Sequence, residues 1–261
     1  MYLINKAKVS KGPLAGLELI TLIALYFVMT WVLVPQVFIS SAVLFTFVFT
    51  LMGMTFYYLY LSPVLLHQDT LQTRGFGPKK SLYVRTDNFL EAWRLLWIPM
   101  LASGSLIVLA AWQKNAVFFI APDWYALFLK LTFYLFWAFI QDILFFSYVL
   151  TRLKDLINIP SFHYQKITVV FLFAALFALV HLPNIPLMGL TFIFAFWLGY
   201  VFYSVPNLTV IVIVHALLGT LLHRVYELHM KVGLFYGAES GQGYFFRFLI
   251  PGIKELIGNR W

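Results

Sequence analysis

The 261 residues are 62% hydrophobic, 20% aromatic and only 11% charged, with a formal net charge of +8 and no cysteine. A soluble domain carries roughly 25% charged residues, so a single aqueous core cannot hold this much apolar surface, and lipid must be the solvent for most of the chain. The absence of cysteine excludes disulfides, thiolate metal ligands and a cysteine nucleophile; the basic excess suits membrane topology and anionic lipid rather than nucleic acid, for which no motif is present.

In chain order, Lys6, Lys8 and Lys11 precede an apolar run longer than 18 residues with no small-x-small cleavage site, so the run reads as a spanning helix and not a removable signal. At roughly 20 apolar residues per crossing, about seven spans are expected: Ala15 to Val34, Phe38 to Leu61, Leu95 to Trp112, Trp124 to Leu150, Ile167 to Leu182, Leu187 to Val205 and Leu208 to Leu222. The predicted fold is therefore all-α, a polytopic transmembrane helix bundle. Pro35 and Pro63 are read as stops for the first two spans. A polar stretch from Leu66 to Glu91 carries Arg74, Lys79, Lys80 and Arg85, with a turn signal at Gly75-Phe76-Gly77-Pro78. Beyond His223 the tail is mixed, and Tyr244 to Ile257 suits a short interfacial helix. Three regions follow: 1–123 with the basic loop, 124–222 as the membrane core, and 223–261 as a tail.

Placing the N-terminus in the cytoplasm puts Lys6, Lys8, Lys11, Arg74, Lys79, Lys80, Arg85, Arg94, Arg152, Lys154 and Lys166 inside, 11 of the 18 basic residues. The positive-inside rule favours that orientation, although Arg224, Lys231, Arg247, Lys254 and Arg260 then lie outside with the tail. The expected location is a plasma membrane, bacterial and inner, with lipid as the chain's constant partner.

Ionisable groups in mid-membrane cost about 2.5–3.5 kcal/mol on insertion scales, so Glu18, Gln141, Asp142, His181 and His215 each need an account. Glu18 lies near the start of its span, within reach of the interface or of a basic partner. Asp142 has Ala138 and Phe146 as its i−4 and i+4 neighbours; its partner must come from another helix, or its carboxyl must be protonated. His181 closes FLFAALFALVHLPN and His215 sits in NLTVIVIVHALLG. Polar groups in lipid find one another inside the bundle, which predicts a cluster of Asp142, His181 and His215. Two imidazoles and a carboxyl can polarise a water or hold a metal.

These residues carry a resemblance. Phe177-Ala-Leu-Val-His181, continued by Leu182-Pro183-Asn184, matches FxxxH followed by LPN; Asn207-Leu208 opens a run whose His215-Ala-Leu-Leu-Gly219 matches HxxxN except at its last position; Gln141-Asp142 with Phe146 and Ser147 stands where EExxxR and its glycine would be. In order, spacing and context the segment from Trp124 to Leu222 resembles the CPBP intramembrane proteases, which include the type II CAAX prenyl endopeptidases. The resemblance implies an intramembrane endopeptidase that hydrolyses a membrane-associated or lipidated protein or peptide, without a required cofactor. It implies a glutamate and a histidine that activate water, and a second histidine and an asparagine that hold the oxyanion. Position by position, Gln141 stands at the glutamate, Asp142 one residue on is the available base, His181 contacts the water, and His215 contacts the oxyanion. Phe177, Asn184 and Gly219 fall at substrate-contact positions. An amide cannot take a proton at neutral pH, Phe146 offers no charge, and Gly219 has no amide.

Other readings stay open beside it. One is a silent member that binds a membrane segment or lipidated peptide without cutting it. Another is a proton-coupled transporter, which intramembrane Asp and His residues suit but which no internal repeat supports. A metal held by Asp142, His181 and His215 is a further option. A serine triad through Ser147 is disfavoured, because Ser147 lies five residues from Asp142 on another helix face and no nucleophile elbow surrounds it. His223 and His229 are read as solvated tail residues.

Overall fold

Among the described residues, seven helices are long and apolar enough to cross a membrane: Gly12–Trp31, Val48–Leu66, Phe89–Lys114, Trp124–Leu156, Phe162–Leu179, Ile185–Ser204 and Leu208–Val225. The computed structural model describes residues 11–33, 41–77, 85–114, 119, 123–228, 230, 232 and 233, and contains no strand among them. With 62% hydrophobic residues, these spans make the chain an integral membrane protein. We number the helices α1 (Lys11–Val28), α2 (Ser41–Phe56), α3 (Phe89–Lys114), α4 (Trp124–Asp142), α5 (Phe162–Leu179), α6 (Ile185–Ser204) and α7 (Leu208–Thr220). The suggested interfacial helix from Tyr244 to Ile257 lies outside the described residues.

Several helices widen into π-type turns, in which each N–H bonds the carbonyl five residues back. The first span ends this way at Met29–Leu33, the second at Tyr57–Leu66 and the last at Leu221–Val225. In the fourth span the wide turn, Ile143–Val149, begins directly after Asp142 and returns to α-geometry at Leu150–Leu156. Pro63 does not stop the second span as expected; it sits inside the wide turn. There the His67 N–H reaches Ser62 O at 2.9 Å, and the Asp69 N–H reaches Pro63 O at 2.8 Å. The fifth span starts five residues earlier than expected and stops at Leu179, because the chain turns through Val180–Pro183 before α6 begins.

Caps and close approaches fix how the core helices enter. Asp123 caps α4, accepting from the Ala126 N–H at 2.9 Å. Asn184 caps α6 through the Leu187 N–H at 3.2 Å, and Asn207 caps α7 through the Val210 N–H at 3.1 Å. Such caps satisfy N–H groups that lipid could not. The Asn207 amide also donates to Arg85 O at 2.9 Å and Asn88 Oδ1 at 2.8 Å, tying the basic loop to the start of α7. Gly75 closes the same junction: it has φ +82°, its carbonyl accepts from the Leu208 N–H at 2.9 Å, and a side chain there would collide with Phe202. Helix α5 packs along α6, and α4 along α7. Phe146, Phe173, Ala174, Val210 and Val214 are buried at the centre, whereas Phe49, Trp97, Phe128 and Phe136 face outward, as lipid-exposed aromatics do.

Toward the basic end lies a sealed polar knot. Glu18, 3% exposed, accepts from Tyr57 Oη at 2.9 Å on one carboxylate oxygen and from Tyr148 Oη at 2.7 Å on the other. His67 Nε2 lies 2.7 Å from that second oxygen. Glu18 therefore takes the second of its two expected routes: its basic partner is the buried His67, just beyond the second span. Ser62 Oγ lies 3.0 Å from Tyr148 Oη. Beside the knot, Arg74 donates to the carbonyls of Ser147, Leu59 and Tyr58, and Arg152 pairs with Asp69 and Asp155.

Candidate active site

Helix α4 presents Tyr134 and Gln141 seven residues apart, two turns along one face. Both side chains line a cavity of about 460 Å3, together with Phe177, His181, His215 and Gly219. The neighbouring residue, Asp142, is fully buried and is not part of the lining. It stands behind His215, whose Nδ1–H donates to Asp142 Oδ1 at 2.8 Å. The other carboxylate oxygen, Oδ2, is buried without a hydrogen-bond partner among the described residues. Proton on Nδ1, the His215 ring leaves Nε2 as an acceptor; that nitrogen makes no hydrogen bond to a described residue.

His181 lies in the turn beyond α5. Its Nδ1 is 2.7 Å from Phe177 O. A carbonyl only accepts, so Nδ1 carries the proton and Nε2 is again the acceptor. Burial pushes this imidazole down to about 4, against the opposing pull of the Phe177 carbonyl, so it is neutral across the physiological range. The Phe177 ring packs beside both histidines, with its centroid 5.4 Å from His181 and 6.1 Å from His215. Of the expected cluster, Asp142 meets His215 directly, while His181 shares the cavity wall with His215 and bonds Phe177 O instead.

The departures from EExxxR and HxxxN have structural counterparts. Phe146 is 1% exposed and packs its ring against Phe173 at 4.8 Å, Phe202 at 5.9 Å and Phe177 at 6.1 Å. Aromatic packing thus fills the position where the motif has an arginine. At the other motif, a Cβ on Gly219 would run into the Tyr134 ring and lie 2.8 Å from its hydroxyl. Asparagine at 219 and tyrosine at 134 therefore exclude each other in this backbone.

The remaining sequence candidates fall elsewhere. The Asn184 side chain is buried as the cap of α6 and is not in the lining. Ser147 is fully buried, and its hydroxyl has no partner among the described residues and no place in the cavity wall. His223 is half-buried in the last wide turn of the seventh span rather than in a solvated tail, and His229 lies outside the described residues. Among the described residues no group of three His, Asp or Glu side chains is arranged to hold a metal. Tyr134, Tyr26, Lys130 and Thr191 also line the cavity and were not singled out by motif; only the i−7 relation of Tyr134 to Gln141 was available to find it.

The site is thus an acid–imidazole pair on the wall of a cavity within the helix bundle, with a second imidazole on the same wall. Residues 122–221, which hold α4 to α7, match the family model described as type II CAAX prenyl endopeptidase Rce1-like, and this segment is a domain of that family. A search of curated proteins and a search of solved structures each found no match.

Proposed function

We propose that the protein is an intramembrane endopeptidase that hydrolyses a peptide bond of a membrane-associated or lipidated protein or peptide. The observation that carries this reading is the 2.8 Å contact of His215 Nδ1 with Asp142, on the wall of a cavity that also holds His181. In this mechanism a water sits between the Nε2 atoms of His181 and His215. His215 takes its proton as general base, and Asp142 stabilises the imidazolium that forms. The hydroxide adds to the carbonyl carbon. The C–N bond then breaks, and the proton on His215 passes to the leaving amine. Asp142 works through His215 rather than on the water, because it is fully buried behind the ring. Gln141 has no role as a base; its amide is a donor to the substrate.

The orientation belongs to the same proposal. Arg74, Arg85, Arg152, Lys154 and Lys166 gather at one end of the bundle, through Arg152 to Asp69, Arg85 to Pro206 O and Lys166 to Ser204 Oγ. By the positive-inside rule this end, where α1 starts, is the cytoplasmic one in this reading, with a bacterial plasma membrane as the proposed location.

Gln141 and Phe146 favour a second reading, in which the cavity binds a membrane segment without cutting it. One experiment separates the two. The purified protein is reconstituted in lipid with a library of membrane-anchored peptides, and new termini are sought by mass spectrometry, beside His181→Ala and Asp142→Ala. Cleavage lost in both variants supports the endopeptidase. Peptide retained by the wild type with no new terminus supports the binding module.

A further inference from the structure

Peptide hydrolysis through a tetrahedral intermediate moves negative charge onto the former carbonyl oxygen, and in a water-poor cavity that charge needs a donor already in place. The donors in this cavity wall can be sorted by what they already hold. The Tyr26 hydroxyl is committed to Val180 O at 2.7 Å, and the Thr191 hydroxyl to Leu187 O at 2.8 Å. His181 and His215 spend their Nδ1 protons on Phe177 O and Asp142. The Tyr134 hydroxyl, the Gln141 amide, the Trp137 indole N–H and the Lys130 ammonium make no hydrogen bond to a described residue, the ammonium lying 5.7 Å from the centroid of the Tyr134 ring. Tyr134 is also the donor beside the base: its ring meets His215 edge-on at 5.9 Å, and its hydroxyl lies against α7 one turn beyond His215, in the space that Gly219 leaves.

We propose that Tyr134 Oη is the catalytic donor to the oxyanion, held against His215 by the absence of a side chain at position 219. The inference rests on the endopeptidase reading. No proton moves in this step: the hydroxyl keeps its hydrogen and lends it to the carbonyl oxygen as that oxygen gains charge. Gly219 is the positioning residue, since any larger side chain displaces the Tyr134 ring.

The test uses two probes in lipid: a membrane-anchored peptide, and the same peptide with its scissile amide replaced by a phosphinate, which carries the tetrahedral oxyanion without being cleaved. The peptide is the one the wild type cuts or, failing that, retains best. Tyr134→Phe keeps the ring and removes only the donor. The expected result is a fall of about 10- to 100-fold in phosphinate affinity, as for a lost hydrogen bond to a charged group, with affinity for the amide peptide unchanged. Gly219→Ala is expected to weaken the phosphinate in the same direction although the hydroxyl remains. The double variant Tyr134→Ala with Gly219→Asn, which swaps one donor for another in the same space, is expected to recover phosphinate binding relative to Tyr134→Ala. Phosphinate binding that Tyr134→Phe leaves intact overturns the proposal, and so does a wild type that does not prefer phosphinate over amide. A Tyr134-dependent preference in a wild type that cuts no peptide would sustain the oxyanion site and refute the endopeptidase reading. Cleavage by a wild type whose phosphinate binding ignores Tyr134 would do the reverse.

Discussion

Two buried acid–imidazole pairs sit in this bundle at nearly the same separation, Glu18–His67 at 2.7 Å and Asp142–His215 at 2.8 Å. Around Glu18, both carboxylate oxygens are bonded and two tyrosines complete the set; none of Glu18, Tyr57, His67 and Tyr148 lines the cavity. Around Asp142, one carboxylate oxygen is left over and the paired imidazole faces open space. Both pairs meet the demand that charge in lipid be partnered. Only the second keeps hydrogen-bonding capacity in reserve where a substrate can reach it. His67 Nδ1 also lacks a partner among the described residues, but it is sealed from the cavity; polar groups so sealed staple the helices, and incompletely satisfied ones at a cavity are poised for chemistry.

The contrast can be broken first at its catalytic side. His215→Ala should abolish cleavage, and Asp142→Asn should lower kcat by about 10^3-fold with little change in KM, since removing the acid behind a base spoils its tautomer and not substrate binding. A kcat in Asp142→Asn equal to wild type would put the two pairs in one structural class. On the other side, Glu18→Ala strands His67 and two tyrosine hydroxyls. It should destabilise the protein by about 3 kcal/mol, as for a broken buried pair, while cleavage per folded molecule is unchanged; thermal unfolding in detergent with a parallel activity assay reads both quantities.

A somewhat smaller effect concerns Phe146. Phe146→Arg should cost about 2.5 kcal/mol or more, because it buries a guanidinium in the middle of a packed aromatic cluster. Adding Gln141→Glu should return part of that loss, a coupling that a double-mutant cycle measures. Strict additivity would mean that the aromatic cluster does not stand in for an ion pair. The smallest expected effect is on pH. Burial holds His181 at about 4, below its ordinary value of 6.5. The unfolded chain therefore takes up a proton that the folded one refuses, and this contribution to stability is present above pH 6.5 and lost as pH falls toward 4. The drop in Tm over that window should be shallower in His181→Gln.

The span count and the all-α class were legible in the sequence because apolar run length is a direct consequence of bilayer thickness. That Asp142 must find its partner on another helix was legible for the same kind of reason, since an acid is too costly to leave alone in lipid. What the sequence hid were the effects of one helix on another. Pro63 reads as a stop, and the wide turn that absorbs it depends on packing. Gly219 reads as a lost amide; the Tyr134 ring filling its place comes from a helix some eighty positions earlier in the chain. Asn184 continues a motif, yet its side chain caps a helix. The pairing of Glu18 with His67 spans 49 positions and no pattern announces it.

The central claim is that water, activated by His215 with Asp142 behind it, cuts a peptide bond inside the membrane. Reaction of the reconstituted protein with a membrane-anchored peptide in 18O-labelled water tests it most directly, with product masses read for wild type and His215→Ala. The account predicts a new carboxyl terminus carrying one 18O atom in the wild type and no product from the variant. Unlabelled product, or labelled product undiminished in His215→Ala, would contradict it.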